Sequence, residues 1–456
     1  MAAPILFPSL ATIVGSDRVI SEPAQLHAYR ISGVIPEAAV RPGSVEEVAA
    51  LVRSAAVDKF RIAPVGARSK LAMNIPIGKY DTALDMTRLD EIVSYDPADL
   101  TLSVEAGLSL RRLASELARH HQFLPLAVSF RDSATVGGAI ASGLDSPLRQ
   151  AYGTARDFVL GMEFVTGEGK IVKSGGRVVK NVSGYDLHKL MIGSLGSLGV
   201  ITKVNFRTFP MPGSIRAFVA AYDSVQEAIE ARHRIAHSPL RPLSLEIVNP
   251  RAVKMLSSDI ANRISPGEFR LHPRWQLLIS FSGTEKIIER YGGDLPQLAG
   301  TAEHQMLNEN QAAVALGRVR EFAAITLDSS PAPTIIKISL VPTRMASLLG
   351  EAVATAERNG VLCAAMARGI GVIYLAVLPS DQSEDQASRA SRVISDIYNS
   401  SRKHEANIGT PWIPDAWRGR ISLPGPSRND IPVMRKIKSA FDPDKIFAAD
   451  PLSALQ

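Results

Sequence analysis

The sequence predicts an α+β protein of more than one domain, and three observations carry this prediction. Short apolar runs alternate with amphipathic segments through residues 1–212, as expected for strands and helices. Pro210, Pro212 and Gly213 then interrupt the pattern, which is typical of a domain boundary. Beyond that point strand–helix–strand units recur. A chain of 456 residues is long enough to bury the cores of two or three domains.

The elements of the first part follow from hydrophobic spacing and from capping residues. Ser44 and Glu47 form a predicted capping box, and apolar residues at helical spacing follow them. Ser109 is the predicted N-cap of a second helix. The predicted strands here are Arg61–Val65, Thr82–Met86, Glu91–Tyr95 and Leu100–Glu105.

The second part repeats one arrangement. Ser224 and Glu227 form a second predicted capping box. The predicted strands are Arg216–Tyr222, Leu243–Val248, Gln276–Phe281, Thr334–Val341, Val361–Ala367 and Val372–Leu378. With a helix at Thr343–Arg358 they predict a ferredoxin-like α/β plait. The expected domains are therefore 1–212, 213–380 and a C-terminal tail, 381–456, that is helical at first.

The composition excludes several kinds of site and partner. The chain is 46% hydrophobic and 21% charged, which is typical of a folded globular protein. Its one cysteine, Cys363, excludes an internal disulfide and a cysteine-ligated iron–sulfur cluster, and suits a reducing cytosol. We expect neither a signal peptide nor a transmembrane segment. The net charge of +6 is scattered, so no nucleic-acid partner is expected.

Several common sites have no support in the sequence. There is no G-x-G-x-x-G after a first strand, no P-loop, no H-E-x-x-H and no G-x-S-x-G. His120 and His121 end a predicted helix, where a cation is favourable. No metal site is expected, and no catalytic residue is assigned.

Three segments rich in small residues stand out instead. They are Pro64–Lys70, Ser133–Gly143 with the following Tyr152-Gly153 pair, and Val179–Leu187 leading into Gly193–Thr202. Successive backbone N–H groups in such turns form concave anion sites, and small side chains let the backbone approach a flat ring closely. Three such segments favour a ligand site over simple turns.

These segments resemble the three flavin-binding stretches of the flavoproteins of the vanillyl-alcohol-oxidase type, which share a two-part, PCMH-type FAD-binding domain. The resemblance covers residues 36–212. The run Val179–Leu190 is similar to the glycolate oxidase subunits, and Phe441–Phe447 resembles the tail that returns to the flavin domain. The resemblance implies a PCMH-type FAD-binding domain at 1–212, a plait domain that caps it at 213–380, and a tail at 381–456 that packs on the FAD domain.

Carried over by position, the resemblance implies that residues 64–70 wrap the FAD pyrophosphate. Residues 129–135 and 142–145 would line the phosphate and ring region, and residues 194–200 would hold the adenine side or the isoalloxazine edge. No histidine lies in 64–70, so we expect non-covalent FAD. The candidate cofactor-binding residues are Pro64, Val65, Gly66, Ala67, Arg68, Ser69, Lys70, Ser133, Thr135, Gly137, Gly138, Ser142, Gly143, Tyr152, Ser194, Gly196, Ser197, Gly199 and Val200.

The first loop departs from the family pattern, which usually reads Pro-x-Gly-Gly-Gly-Thr. Here Gly66 is followed by Ala67, Arg68 and Ser69. A non-glycine residue at positive φ costs about 1–2 kcal/mol. Arg68 either offsets this cost by pairing with a phosphate or obstructs the site.

The first functional hypothesis is the FAD-binding subunit of a glycolate oxidase complex, which oxidises glycolate to glyoxylate. The Gly-Asp-Gly-Asn-type motif of the catalytic subunit is missing, and His404 stands alone near Glu405 and Asn407. The expected partners are a catalytic flavoprotein subunit and an iron–sulfur subunit. The expected location is the cytoplasm, with membrane association through that complex.

Two alternatives stay open. A self-sufficient FAD-linked oxidoreductase would act on another 2-hydroxy acid or alcohol, and Arg368 is its candidate carboxylate ligand, with surface exposure as the plainer interpretation. A non-catalytic scaffold subunit would keep a degenerate flavin site, and the altered Gly66–Ser69 loop supports it.

Overall fold

The computed structural model describes residues 6–177, 184–301, 303–418 and 430–452. Residues 179–183 of the run similar to glycolate oxidase subunits lie outside this part. The chain forms two compact units. The first takes its residues from 1–145, 154–211 and 427–456, and the second from 146–153 and 212–426.

Strands and α-helices alternate along most of the described chain. The strands are β1 (Val19–Ile20), β2 (Ala38–Val40), β3 (Ile62–Val65), β4 (Thr82–Asp85), β5 (Ile92–Asp96), β6 (Thr101–Glu105), β7 (Gln122–Phe123), β8 (Val159–Val165), β9 (Ile171–Gly175), β10 (Val200–Arg207), β11 (Phe209–Pro210), β12 (Ile215–Tyr222), β13 (Ser244–Val248), β14 (Trp275–Ser282), β15 (His304–Leu307), β16 (Thr334–Ser339), β17 (Leu362–Arg368), β18 (Val372–Leu378) and β19 (Asn407–Trp412). The helices are α1 (Leu6–Val14), α2 (Pro23–Leu26), α3 (Val45–Asp58), α4 (Leu110–Arg119), α5 (Val136–Ser142), α6 (Arg149–Tyr152), α7 (Ala155–Phe158), α8 (His188–Met191), α9 (Val225–Ala236), α10 (Pro250–Leu256), α11 (Asp259–Ile264), α12 (Glu285–Ala299), α13 (Glu309–Arg320), α14 (Phe322–Ser329), α15 (Met345–Arg358), α16 (Glu384–Lys403) and α17 (Ile431–Phe441).

The described residues of the first unit form two main sheets, which confirms the predicted two-part domain, and a small two-stranded sheet of β7 and β11. In the four-stranded sheet, of order β1-β2-β4-β3, the strands β2, β4 and β3 are parallel and β1 is antiparallel. The five-stranded sheet, of order β5-β6-β10-β8-β9, is antiparallel throughout. Each sheet has its own hydrophobic core, and the core of the smaller sheet also includes Val165 and Val200 from the larger one.

The helix caps of the first unit agree with the predicted ones except at one residue, Glu47. Ser109 Oγ accepts from Arg112 N–H, which confirms the predicted N-cap. Ser44 Oγ accepts from Glu47 N–H as predicted, but the Glu47 carboxylate accepts from Gly43 N–H at 2.6 Å instead of completing the capping box. The Glu47 side chain lies in the first turn of the helix, so it can reach the backbone N–H of either Ser44 or Gly43.

The second unit contains one antiparallel sheet of eight described strands, in the order β15-β12-β14-β13-β17-β18-β16-β19. It consists of two successive βαββαβ plaits. The strands of each plait follow the order 4-1-3-2, and β13 pairs with β17 to join them. The predicted plait is therefore confirmed, and it is duplicated. Ser224 and Glu227 form the capping box predicted for α9.

The boundary expected at residue 380 differs from the structure. Helix α16 buries Val393, Ile394 and Ile397 in the core of the second unit, and β19 pairs with β16. Only the residues after 426 return to the first unit. The reason is that α16 and β19 are the last helix and strand of the second plait. Their apolar faces are buried only when they pack on this sheet.

Candidate functional site

The three small-residue segments meet in the first unit around one cavity. It encloses about 770 Å³ of empty space, part of it open to solvent. Parts of all three segments line it. The candidate residues among its lining are Pro64, Val65, Gly66, Ala67, Arg68, Ser69, Lys70, Thr135, Gly137, Gly138, Ser142, Gly196 and Gly199.

Glycines let these segments pack against one another. A Cβ on Gly66 would lie 2.2 Å from Thr135 Oγ1, so no larger residue fits where the first segment crosses the second. A Cβ on Gly196 would lie 3.0 Å from Pro64 Cγ, and φ at Gly196 is +73°. The third segment is therefore held against the first. The glycines thus form the cavity by bringing three backbones together.

The first segment presents a run of open hydrogen-bond donors. Within the described ranges, no acceptor bonds the backbone N–H groups of Gly66, Ala67, Arg68 or Ser69. These residues line the cavity. Gly66, Ala67 and Ser69 are half-buried and Arg68 is exposed, and consecutive N–H groups without an acceptor on the wall of a cavity have the geometry of an anion site. This arrangement fits the pyrophosphate of FAD.

Arg68 lies in the left-handed region, with φ of +63°, so it is a non-glycine residue that accepts the cost of positive φ. Its guanidinium lies 4.9 Å from the centre of the Tyr29 ring and 3.7 Å from Asp85 Oδ2. Tyr29 Oη donates to the same carboxylate at 2.6 Å. Burial first, and then the hydrogen bond to Asp85, raise the pKa of Tyr29, so its hydroxyl stays protonated as a donor.

Lys70 adds a second cation to the wall of the cavity. Its side chain is buried, Nζ donates to Ser69 Oγ at 3.4 Å and lies 5.9 Å from the centre of the Phe130 ring. The side chains of Lys70 and Arg68 therefore place positive charge beside the open N–H groups, which again favours an anion.

The remaining candidates do not line the cavity. Gly143 ends α5 with φ of +58°, and Val200 begins β10 inside the core. Ser133 is exposed, whereas Ser194 and Ser197 are buried, and Ser197 Oγ donates to Ser194 O. These residues belong to the same stretches of chain as the lining residues, but they lie away from the wall of the cavity. Tyr152 ends α6, which belongs to the second unit and packs on β13.

Part of the lining was not among the candidate residues. Five of these residues lie outside the three small-residue segments, namely Leu71, Met73, Ile75, Met86 and Ala106. The other three, Ala141, Leu195 and Ile201, lie within the second and third segments but were not candidates by name. All eight are apolar, and strand ends bring several of them to the cavity. Gly107 lies just after the end of β6, and a Cβ there would lie 2.1 Å from Met86 O, so only glycine allows Met86 to approach this closely. In the sequence, a single glycine after a strand does not show which residue lies beside it.

The structure also shows the environments of two residues of the second unit, Arg368 and Cys363. Arg368 is buried, not exposed, and its Nη1 donates to Glu246 Oε1 at 3.0 Å. Burial raises the pKa of Cys363 to about 12, so the thiol stays protonated and unreactive.

His404 is not isolated, because its Nε2 lies 3.2 Å from Glu351 Oε1. Across the described ranges, no three His, Cys, Asp or Glu side chains are grouped as metal ligands would be. In the same part of the chain, no helix combines the length and apolar character needed to cross a membrane.

Two family models match the chain. The FAD binding domain matches residues 36–175, and the C-terminal domain of FAD linked oxidases matches residues 211–407. Together they include most of the chain, and the second match begins at residue 211, beside the predicted boundary at residue 212.

Curated relatives agree with these matches. A D-lactate dehydrogenase of Anaerostipes hadrus is 31% identical over 51% of this chain and 49% of its own. Glycolate oxidase subunit GlcE of Escherichia coli (strain K12) is 37% identical over 42% of this chain and 54% of its own. This chain thus spans about half the length of either relative. Glycolate oxidase subunit GlcD of Bacillus subtilis (strain 168) is 23% identical over 91% of this chain and 90% of its own.

Solved structures share the fold. p-Cresol methylhydroxylase with substrate bound superposes with a TM-score of 0.76 at 16% identity, over 98% of this chain and 96% of its own. At this identity the likeness bears on the fold alone. The FAD binding domain model, the FAD linked oxidase model and the anion-binding cavity agree on the cofactor, which is FAD. The chain therefore contains a region that matches the FAD binding domain, followed by a region that matches the C-terminal domain of FAD linked oxidases.

Proposed function

We propose that this chain is a FAD-dependent oxidoreductase that acts on the CH–OH group of a small 2-hydroxy acid. The observation that carries the proposal is the run of open N–H groups from Gly66 to Ser69 on the wall of the cavity. Relatives with glycolate oxidase, D-lactate dehydrogenase and D-2-hydroxyglutarate dehydrogenase names support the substrate class.

In this proposal the first segment binds the FAD pyrophosphate through its backbone N–H groups, and Arg68 and Lys70 add positive charge. Thr135 to Ser142 and Gly196 to Gly199 lie against the rest of the cofactor, because their small side chains leave the backbone accessible. The bound flavin would accept a hydride from the carbon that bears the hydroxyl group.

More specifically, we propose the FAD-binding subunit of a glycolate oxidase complex, in which a catalytic flavoprotein subunit and an iron–sulfur subunit are the partners. The GlcE and GlcD relatives support this assignment. Glycolate would be oxidised to glyoxylate by the complex in the cytoplasm, at the membrane surface if the partners bind there.

One observation favours a second candidate, a self-sufficient 2-hydroxy acid dehydrogenase. The likeness to a D-2-hydroxyglutarate dehydrogenase of Stutzerimonas stutzeri extends over 98% of this chain and all of that relative, at 23% identity. A chain that aligns end to end with a dehydrogenase has room for the same division into FAD and cap domains.

An absorption spectrum of the purified chain separates the candidates. Acid precipitation should release a flavin band into the supernatant, as non-covalent FAD requires. Glycolate, D-lactate and D-2-hydroxyglutarate are then added anaerobically to the untreated protein. If one of them bleaches the band, the chain is self-sufficient. If none does until partner subunits are added, it is a complex subunit. A chain that takes up no FAD even on reconstitution would contradict both and leave the scaffold subunit.

A further inference from the structure

The C-terminal segment of the first unit, residues 430–452, is hydrogen-bonded to β3. This strand leads into Pro64–Lys70, the first small-residue segment, which we call the first cofactor segment; Gly193–Thr202 is the third. Ile62 N–H in β3 donates to Ile446 O at 2.8 Å, and Ala448 N–H donates to Ile62 O at 2.8 Å. Ile446 and Phe447 are buried in the core of the smaller sheet. The segment after α17 therefore forms a single parallel bridge with β3, which ends at Val65, directly before Gly66.

Lys438 attaches the same C-terminal segment to the third cofactor segment. Its Nζ donates to Ser197 O at 2.7 Å and also to the Asp442 carboxylate. The side chain is only 13% exposed, and Nζ lies 5.6 Å from the centre of the Phe447 ring. Because Leu195, two residues before Ser197, lines the cavity, this ammonium group bonds the loop that forms one of its walls.

Asp442 holds the turn that brings Lys438 into place. The residue is fully buried, and its two oxygens accept from Ile446 N–H at 2.8 Å and Phe447 N–H at 3.2 Å. Gly167 packs so closely on it that a Cβ there would lie 2.7 Å from Asp442 Oδ1. Removing either charge of a buried pair leaves the other one without compensation, so the two residues depend on each other.

The loop that Lys438 holds needs external support. Leu195 has φ of +54° and Gly196 has φ of +73°, so a leucine sits in a conformation that favours glycine. Such backbone persists only where its surroundings hold it. Besides the packing of Gly196 on Pro64, two hydrogen bonds between the loop and residues outside it do so: Leu195 N–H donates to Ala141 O at 2.9 Å, and Lys438 Nζ donates to Ser197 O.

We propose that Lys438 and Asp442 are positioning residues for the cofactor. They connect the first and third cofactor segments through the C-terminal segment, so that FAD affinity depends on residues that do not line the cavity. The proposal rests on FAD being the cofactor, as in the proposed function. It differs from a general contribution to stability, because it predicts a local effect on residues 194–199.

The test compares the full-length wild-type chain, stripped of FAD, with Lys438→Met. FAD affinity is measured by the fluorescence of added flavin, and hydrogen exchange reports on the amides of Leu195 and Ser197. Glu47→Gln is the matched control, because the Glu47 carboxylate also accepts from a cationic side chain and a backbone N–H in this unit and does not line the cavity. Lys438→Arg is the conservative variant. Asp442→Asn is the second variant, in case Lys438→Met does not fold.

We expect Lys438→Met to raise the dissociation constant of FAD at least about tenfold, the size of effect that loss of a charged hydrogen bond produces. Exchange at Leu195 and Ser197 should accelerate, and Lys438→Arg should restore both. Glu47→Gln should lower the melting temperature without either effect. Unchanged affinity and exchange in Lys438→Met, or equal losses in Glu47→Gln, would overturn the proposal. If the wild type binds no FAD, the cofactor assignment fails, while exchange in the apoprotein still decides whether Lys438 holds the loop.

Discussion

At the scale of single residues, Arg68 departs from the glycine-rich first loop of the flavoproteins that this chain resembles. A glycine at this position would adopt φ of +63° at no steric cost, whereas arginine accepts a cost of about 1–2 kcal/mol. Within the described chain the Arg68 guanidinium donates no hydrogen bond, although it lies 3.7 Å from Asp85 Oδ2 and over the Tyr29 ring. A guanidinium with unused donors beside an anion site favours the first interpretation of the sequence, a phosphate ligand, over an obstruction.

Arg68→Gly tests this interpretation directly. Glycine relieves the backbone cost but removes the charge, so the apoprotein should be at least as stable while FAD binds about tenfold more weakly or worse. Isothermal titration of the apoprotein with FAD measures the change. Lys59→Gly is the control, because Lys59 also has positive φ, at the end of α3, and is exposed and away from the cavity. It should leave FAD binding unchanged. Tighter binding by Arg68→Gly would show that the arginine is an obstruction.

At the scale of elements, the cavity depends on how closely β3 and α5 approach. Thr135 Oγ1 accepts from Gly138 N–H as the N-cap of α5, and it lies directly against Gly66. The cap of a helix and the end of a strand therefore share one contact. A side chain at Gly66 would have to displace the cap or the strand.

Gly66→Ala should destabilise the protein by about 1–3 kcal/mol, because the added Cβ overpacks this contact. Urea unfolding of the apoprotein gives the free energy of unfolding. Gly78→Ala is the matched control, since the nearest atom to its Cβ would be Arg61 Nη1 at 3.9 Å. We expect it to change stability by less than about 0.5 kcal/mol. Equal losses in the two variants would mean that the contact with Thr135 is not limiting.

At the scale of the whole molecule, a buried histidine links stability to pH. His188 is 3% exposed, and its Nδ1 lies 3.1 Å from Ser174 Oγ. Burial lowers the pKa of His188. The unfolded chain therefore takes up a proton at higher pH than the folded chain. Stability is full above the ordinary pKa of histidine, about 6.5, and is lost as pH falls towards the lowered value.

Urea unfolding of the wild type at pH 7.5 and pH 5.5 should show this loss, at most about 1.4 kcal/mol per pH unit from this one group. His188→Gln should lose less between the two conditions, because it has no proton to gain. His27→Gln, which replaces an exposed histidine of the same unit, should behave as the wild type does. A pH dependence identical in all three proteins would exclude His188 as its source.

Much of this molecule could be predicted because it depends on local signals. Ser109 and Ser224 cap their helices as predicted, since a cap is decided within about four residues. The capping box at Ser44 formed only in part, because Glu47 had two amides within reach. The assignment of 381–426 to the tail was wrong because nothing local shows that α16 and β19 complete a second plait.

The sequence by itself determined the fold class, the three small-residue segments and the resemblance to FAD-binding flavoproteins, because small-residue turns and hydrophobic periodicity are properties of short stretches of chain. Only the tertiary structure decided which candidate residues line the cavity, where the guanidinium of Arg68 lies, and that Arg368 pairs with Glu246. Lys438 and Ser197 are 241 residues apart, so their contact exists only once strand pairing has brought the C-terminal segment beside β3. Contacts of that kind depend on the packing of the whole unit, which no short stretch of chain encodes.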